Sequence, residues 1–167
     1  MMKRTMLAVA ILSMAFVLHA QKFGHVTSEL LLQAMPEFDS AQVKIDQLRQ
    51  HYTDEIENIQ VEINNKIEAF NQGESTMSDL IKEAKASEIQ EMQMRLQNYS
   101  QTAQQDLQQQ SQVMIQPVMD KARTAIEEVA MEHGLIYVFD LSQGNPIYTS
   151  DESLDMMPLV KAKLGLQ

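Results

Sequence analysis

The sequence predicts an α+β fold, mostly α: a long antiparallel, coiled-coil-like helical hairpin on a small β-containing body that oligomerises. Three observations predict it. Residues 38–133 read as helix almost without interruption, and the one clear break is Asn71–Met77, NQGESTM. The outgoing arm carries a thin apolar stripe, Ile45, Leu48, Tyr52, Ile56, Ile59, Ile63, Ile67 and Phe70. Its steps follow an 11-residue repeat of about 3.67 residues per turn, so the stripe drifts little on a nearly straight helix. Finally, only 51 residues, 21–37 and 134–167, flank the arm, and they hold the strand-like runs. A core that small is marginal alone, and strands pooled from several chains are the natural remedy.

The elements follow in order. Lys3 and Arg4 precede the apolar run Met6–Leu18, and Ala20 offers a small residue before a cut. Residues 1–20 therefore read as a secretory signal peptide cleaved near Ala20, since the run is short of the roughly 20 residues needed to span a membrane. Gln21–Val26 is a strand candidate. Thr27 and Ser28 are helix N-caps for a short helix, Glu29–Met35, stopped by Pro36. The outgoing arm covers about 37–70, roughly 50 Å at 1.5 Å per residue. The tip at 71–77 holds Gly73. The return arm, about 78–133, carries Ile81, Ile89, Met92, Leu96, Tyr99, Ala103, Leu107, Met114 and Val118 as its stripe, with Gln110 at a core-like position. Pro117 lies inside it and removes the amide that would bond to Val113, so a bend is expected at Val113–Pro117.

After Gly134, a helix C-cap, the run Leu135–Leu141 reads as a strand buried on both faces. Gly144-Asn145-Pro146 is a turn and Ile147–Thr149 a further short strand. Asp155 caps a final helix with Pro158 in its first turn and Val160, Leu164 and Leu166 inward. The chain thus divides into a signal peptide (1–20), a body made of 21–37 and 111–167, and an arm (38–110).

Composition excludes several functions. Without Lys3 and Arg4 the chain has 11 basic and 23 acidic residues, a net charge of −12. That argues against nucleic-acid binding. There is no cysteine, so neither a disulfide framework nor thiolate chemistry is available. His25, His51 and His133 have no i,i+4 partner, and HExxH, EF-hand, phosphate-loop and GxSxG patterns are absent. No catalytic residue, metal site or cofactor is expected, and the chain is read as not an enzyme. The eight Gln between Gln97 and Gln112 fit an uncharged solvent face.

The stretches GHVTSELLLQAMPEF, GLIYVFDLSQGNPIYTS and DMMPLVKAKLGL, in this order around such a hairpin, resemble the Skp/OmpH family of periplasmic chaperones, in the form seen in Bacteroidetes-like bacteria. The resemblance spans nearly all of the chain after residue 20. It implies a homotrimer whose short strands pool into a barrel-like body. Three helical tentacles then enclose a cavity for unfolded outer-membrane proteins, in the periplasm and without ATP. The well-known enterobacterial members are basic with positive tips. This tip is NQGEST, so membrane contact at the tips is left open.

Methionine side chains are flexible and adapt to varied apolar partners. Met77, Leu80 and Met94 are the candidate client contacts. Val26, Leu135, Ile136, Val138 and Ile147 are the candidate subunit interface, and Val113 with Pro117 the candidate hinge. The other reading is a structural coiled-coil spacer or adaptor of the cell envelope, as in the hairpins of efflux-pump adaptors. The 51 flanking residues speak against it, because those hairpins are inserted into large β domains.

Overall fold

The computed structural model describes residues 22–144 and 146–166. The expected signal peptide with its cleavage point at Ala20, and Gln21 and Asn145, lie outside the described residues. In chain order the elements are β1 (Lys22–Val26), α1 (Ser28–Gln33), α2 (Pro36–Gly73), a 3-10 turn (Glu74–Thr76), α3 (Asp79–Glu132) and β2 (Leu135–Asp140). A second 3-10 turn (Leu141–Gln143), β3 (Leu154–Asp155) and α4 (Met157–Leu164) complete it. The fold is mostly helical with one small sheet, as the sequence predicts. It divides into two compact units, residues 35–120 and residues 22–34 with 121–166.

In the first unit α2 opens on Pro36, which the sequence reads only as a stop for the helix before it. Proline is at home in a first turn, where its missing N–H would be unsatisfied anyway. The predicted stripe is the one that turns inward. Ile45, Ile59 and Ile63 are buried, and Leu48, Tyr52, Ile56, Ile67 and Phe70 half-buried. On the return helix Ala103 and Val118 are buried, and Ile89, Met92, Leu96, Tyr99 and Leu107 half-buried. Ile81 departs from its expected place and is exposed. Two cross-links show the helices antiparallel: Tyr52 Oη donates to Asp106 Oδ2 at 2.5 Å, and Lys66 Nζ to Glu88 Oε1 at 2.6 Å. Pro117 lies within α3, whose helical assignment continues through it.

The second unit is built on a three-stranded sheet of order β2-β1-β3, with both pairings parallel. Its buried apolar residues are Val26, Leu31, Ala122, Ala125, Val129, Met156 and Val160. Gly24 is needed on the inner face, because a Cβ there would lie 2.6 Å from Leu135 Cδ1 and 2.9 Å from Met156 Sδ. At the far end, Lys163 Nζ bonds Glu128 at 2.9 Å and Glu132 at 2.8 Å, tying α4 to the last turns of α3.

Several expectations are corrected in this unit. The third strand is Leu154–Asp155, not Ile147–Thr149: the amide of Met156 donates to the carbonyl of His25 at 2.9 Å, and Ile147 is left fully exposed. β2 is not buried on both faces within one chain. It is an edge strand, and Ile136, Tyr137 and Phe139 are 48%, 64% and 41% exposed. Thr27 makes no side-chain cap on α1. That role falls to residues more than a hundred positions away. Asp140 accepts from the Ser28 amide at 3.1 Å and from the Ser28 hydroxyl, and Ser142 Oγ accepts from the Glu29 amide at 2.9 Å. Asp155 caps α4 as expected, accepting from the Met157 amide at 2.9 Å.

Candidate binding surfaces

The unit of residues 22–34 and 121–166 presents an apolar face that the described residues leave open. Strand alternation puts Phe23, His25, Tyr137 and Phe139 on one side of the β1–β2 pair. Phe23 stacks on Tyr137 at 6.4 Å with ring planes 8° apart, and meets Phe139 at 6.2 Å. Tyr137 and Phe139 are 6.4 Å apart. Such aromatic clusters supply large contact area in specific geometries. The loop after Pro146 borders this face. Between them lies a groove of about 410 Å³ lined by Phe23, His25, Phe139, Pro146, Tyr148 and Ser153 among others. His25 Nδ1 is 3.0 Å from Ser153 Oγ, which holds the strand to this loop.

The interface residues expected from the sequence divide between two environments. Val26 is 3% exposed and belongs to the unit's own core. Leu135 and Val138 are half-buried. Ile136 and Ile147 are open to contact from outside. The aromatic residues Phe23, Tyr137, Phe139 and Tyr148 were missed at the sequence level, although the alternation of LIYVFD carries the signal.

The charged groups here are structural. Burial pushes the Asp140 carboxyl up, but hydrogen bonds from Ser28 and Ser142 outweigh it and hold the group down at about 2. Lys163 is pushed above the usual lysine range by its hydrogen bonds to Glu132 and then Glu128. Glu132 is correspondingly lowered by Lys163.

In the unit of residues 35–120, the three expected client contacts are exposed to different degrees. Met77 folds its methyl group back over Gly73, where an added Cβ would lie 2.5 Å from Met77 Cε, and is half-buried. Leu80, three residues on, is 77% exposed. Met94 is 50% exposed and borders a shallow groove with Glu91, Arg95, Asn98, Tyr99 and Thr102. Fourteen residues separate Leu80 from Met94, about 21 Å along the helix, so these side chains make scattered contacts and not one pocket. Val61, Val43 and Val113 are also more than half exposed; none of them is among the contacts expected from the sequence, where Val113 is a hinge candidate.

Among the described residues no group of His, Asp and Glu is placed to hold a metal ion, and no helix is long and apolar enough to cross a membrane. His25, His51 and His133 lie on β1, on α2 and just after α3.

Comparison with known proteins gives a family match and several structural matches. Residues 22–164 match the family described as "Outer membrane protein (OmpH-like)". The crystal structure of an OmpH-like protein from Caulobacter crescentus superposes with a TM-score of 0.75 at 15% identity, covering 86% of this chain and 83% of that one. At that identity the likeness speaks for the fold. No curated protein matches the sequence significantly.

Proposed function

The chain belongs to the OmpH-like family, and on that premise we propose that it is an ATP-independent holdase chaperone of the periplasm. Its clients would be unfolded outer-membrane proteins, held among the helical arms of a homotrimer and kept from aggregating. The Caulobacter protein of the same fold is provisionally described as an outer membrane chaperone, which agrees with this reading.

The observation that carries the proposal is the uncovered parallel sheet. All-parallel sheets occur almost only with both faces covered. Here a three-stranded parallel sheet leaves Phe23, Tyr137 and Phe139 between 38% and 64% exposed. A second and third copy of the same face would cover it. Ile136 and Ile147 would join that contact, with Leu135 and Val138 behind them and Val26 in the core beneath.

Client contact would come from Met77, Leu80 and Met94, each weak and together multivalent. The arms would flex at Val113 and Pro117 to fit clients of different size. No sequence feature calls for ATP, metal or cofactor. The net charge of −12 without Lys3 and Arg4 would keep a loaded complex soluble and favour clients with basic segments.

The test is light scattering of an unfolded outer-membrane barrel diluted from denaturant, with and without residues 21–167. The expected result is suppressed aggregation at about one trimer per client. Unchanged scattering at that ratio sinks the reading.

A further inference from the structure

The seam between α2 and α3 contains a polar layer around Tyr52. Tyr52 Oη donates to Asp106 Oδ2 across it at 2.5 Å, and the Tyr52 ring meets Tyr99 edge-on at 6.3 Å. Gln110 Nε2 reaches the other oxygen, Asp106 Oδ1, at 3.4 Å. Tyr52, Tyr99, Asp106 and Gln110 are all half-buried, and Ala103 between them is buried.

The apolar part of the seam fixes axial alignment poorly. On α2 it repeats one side chain, Ile45, Ile56, Ile59, Ile63 and Ile67, at near-regular helical spacing. Sliding one helix past the other by a turn, about 5.4 Å, exchanges one isoleucine contact for another. The exposed turn around Glu74–Ser78 could take up the displaced residues. The cross-seam ion pair is also tolerant. Lys66 has Glu62 at 4.0 Å as well as Glu88 at 2.6 Å, and Glu88 has Lys85 at 3.9 Å, so these charges have alternative partners after a slip.

Asp106 has no such alternative across the seam. Shifted by a turn, Asp106 would face Leu48 or Ile56 where it now meets a hydroxyl. A carboxylate desolvated against apolar side chains is costly. A single polar residue in an otherwise apolar seam is known to set register in coiled coils at some expense in stability. We propose that the Tyr52–Asp106 pair is the register pin of the hairpin: it selects one axial alignment of α2 and α3, and so fixes which residues form the tip.

The chain has no cysteine, which makes the test clean. Spin labels on Gln60→Cys and Gln93→Cys, both exposed positions, report the alignment by pulsed electron resonance. The labelled protein is diluted with unlabelled protein so that only distances within one chain are read. The parent should give one narrow distance. Tyr52→Phe with Asp106→Leu should remain helical by circular dichroism and give a second distance population, displaced by one or more helical turns. Asp106→Asn keeps an acceptor for the tyrosine hydroxyl and should return the single distance. A double variant with one unchanged narrow distance overturns the proposal. So does a double variant that loses its helix, since the apolar pair is expected to fit the seam. An Asp106→Asn protein as heterogeneous as the double variant also overturns it. None of these readouts depends on chaperone activity.

Discussion

Asp140 sits at the end of β2, and its carboxylate serves the start of α1, closing the gap between strands and helix. Its hydrogen bonds from Ser28 and Ser142 outweigh the cost of burial and hold it at about 2, against an ordinary 3.8. The sign follows directly. A depressed carboxylate contributes stability that is fully present above pH of about 4 and is lost as pH falls toward 2. The group is partly exposed, so screening limits the contribution to about 1 kcal/mol. We expect Asp140→Ala to lower stability at pH 7 by about 1 kcal/mol, in the range of a lost helix cap. Its urea midpoint should then fall less than the parent's between pH 4 and 2. Urea titrations at three pH values check both. An Asp140→Ala protein with the parent's full acid sensitivity would assign that sensitivity to other groups.

At the scale of elements, the arm was legible because period alone specifies it. The spacing from Ile45 to Phe70 matches the inward face at every position, but α2 runs on through Asn71–Gly73, so the break is shorter than the expected Asn71–Met77 and begins at Glu74. The sheet was legible in β1 and β2, which announce themselves by β-branched and aromatic runs. β3 was not, because two residues carry no period, and Ile147–Thr149 has the more strand-like composition. The Asp140 cap on α1 was hidden for a different reason. A capping carboxylate 112 positions from its helix leaves no local signature, whereas Asp155 before α4 does. For the candidate interface and client residues only hydrophobic type can be read from sequence, because exposure depends on which face an edge strand turns outward.

Pro117 gives this scale its own prediction. It removes one backbone donor from the interior of α3. Pro117→Ala should restore the bond to the Val113 carbonyl and stiffen the helix there. Hydrogen exchange should show slower opening of amides near 113–121. Unchanged exchange would place the proposed flexing elsewhere.

For the whole molecule, the decisive question is what covers the aromatic face of the sheet. Ile136 is 48% exposed in the single chain, so Ile136→Asp should disturb the chain's own folding little. In a shared core it would set carboxylates against apolar surface, at a cost of several kcal/mol. We expect a helical but monomeric protein by sedimentation velocity, against a trimeric parent. A trimeric variant would move the interface away from Ile136. A monomeric parent would remove the shared core altogether.

The central strand of the sheet is also its earliest. β1 begins at Lys22, while its first partner on β2 is Leu135, so more than a hundred residues must follow before either edge can be paired. For a chain emerging from its N-terminus, the strand made first is used last. Contacts so distant in sequence are slow to close. The hairpin in between relies on nearer pairings and can fold sooner, shortening the effective loop that β1 must close. Until then both edges of β1 stand open, and unpaired edges invite pairing with other chains. If copies join through this sheet as proposed, they would meet a strand still waiting for its own partners.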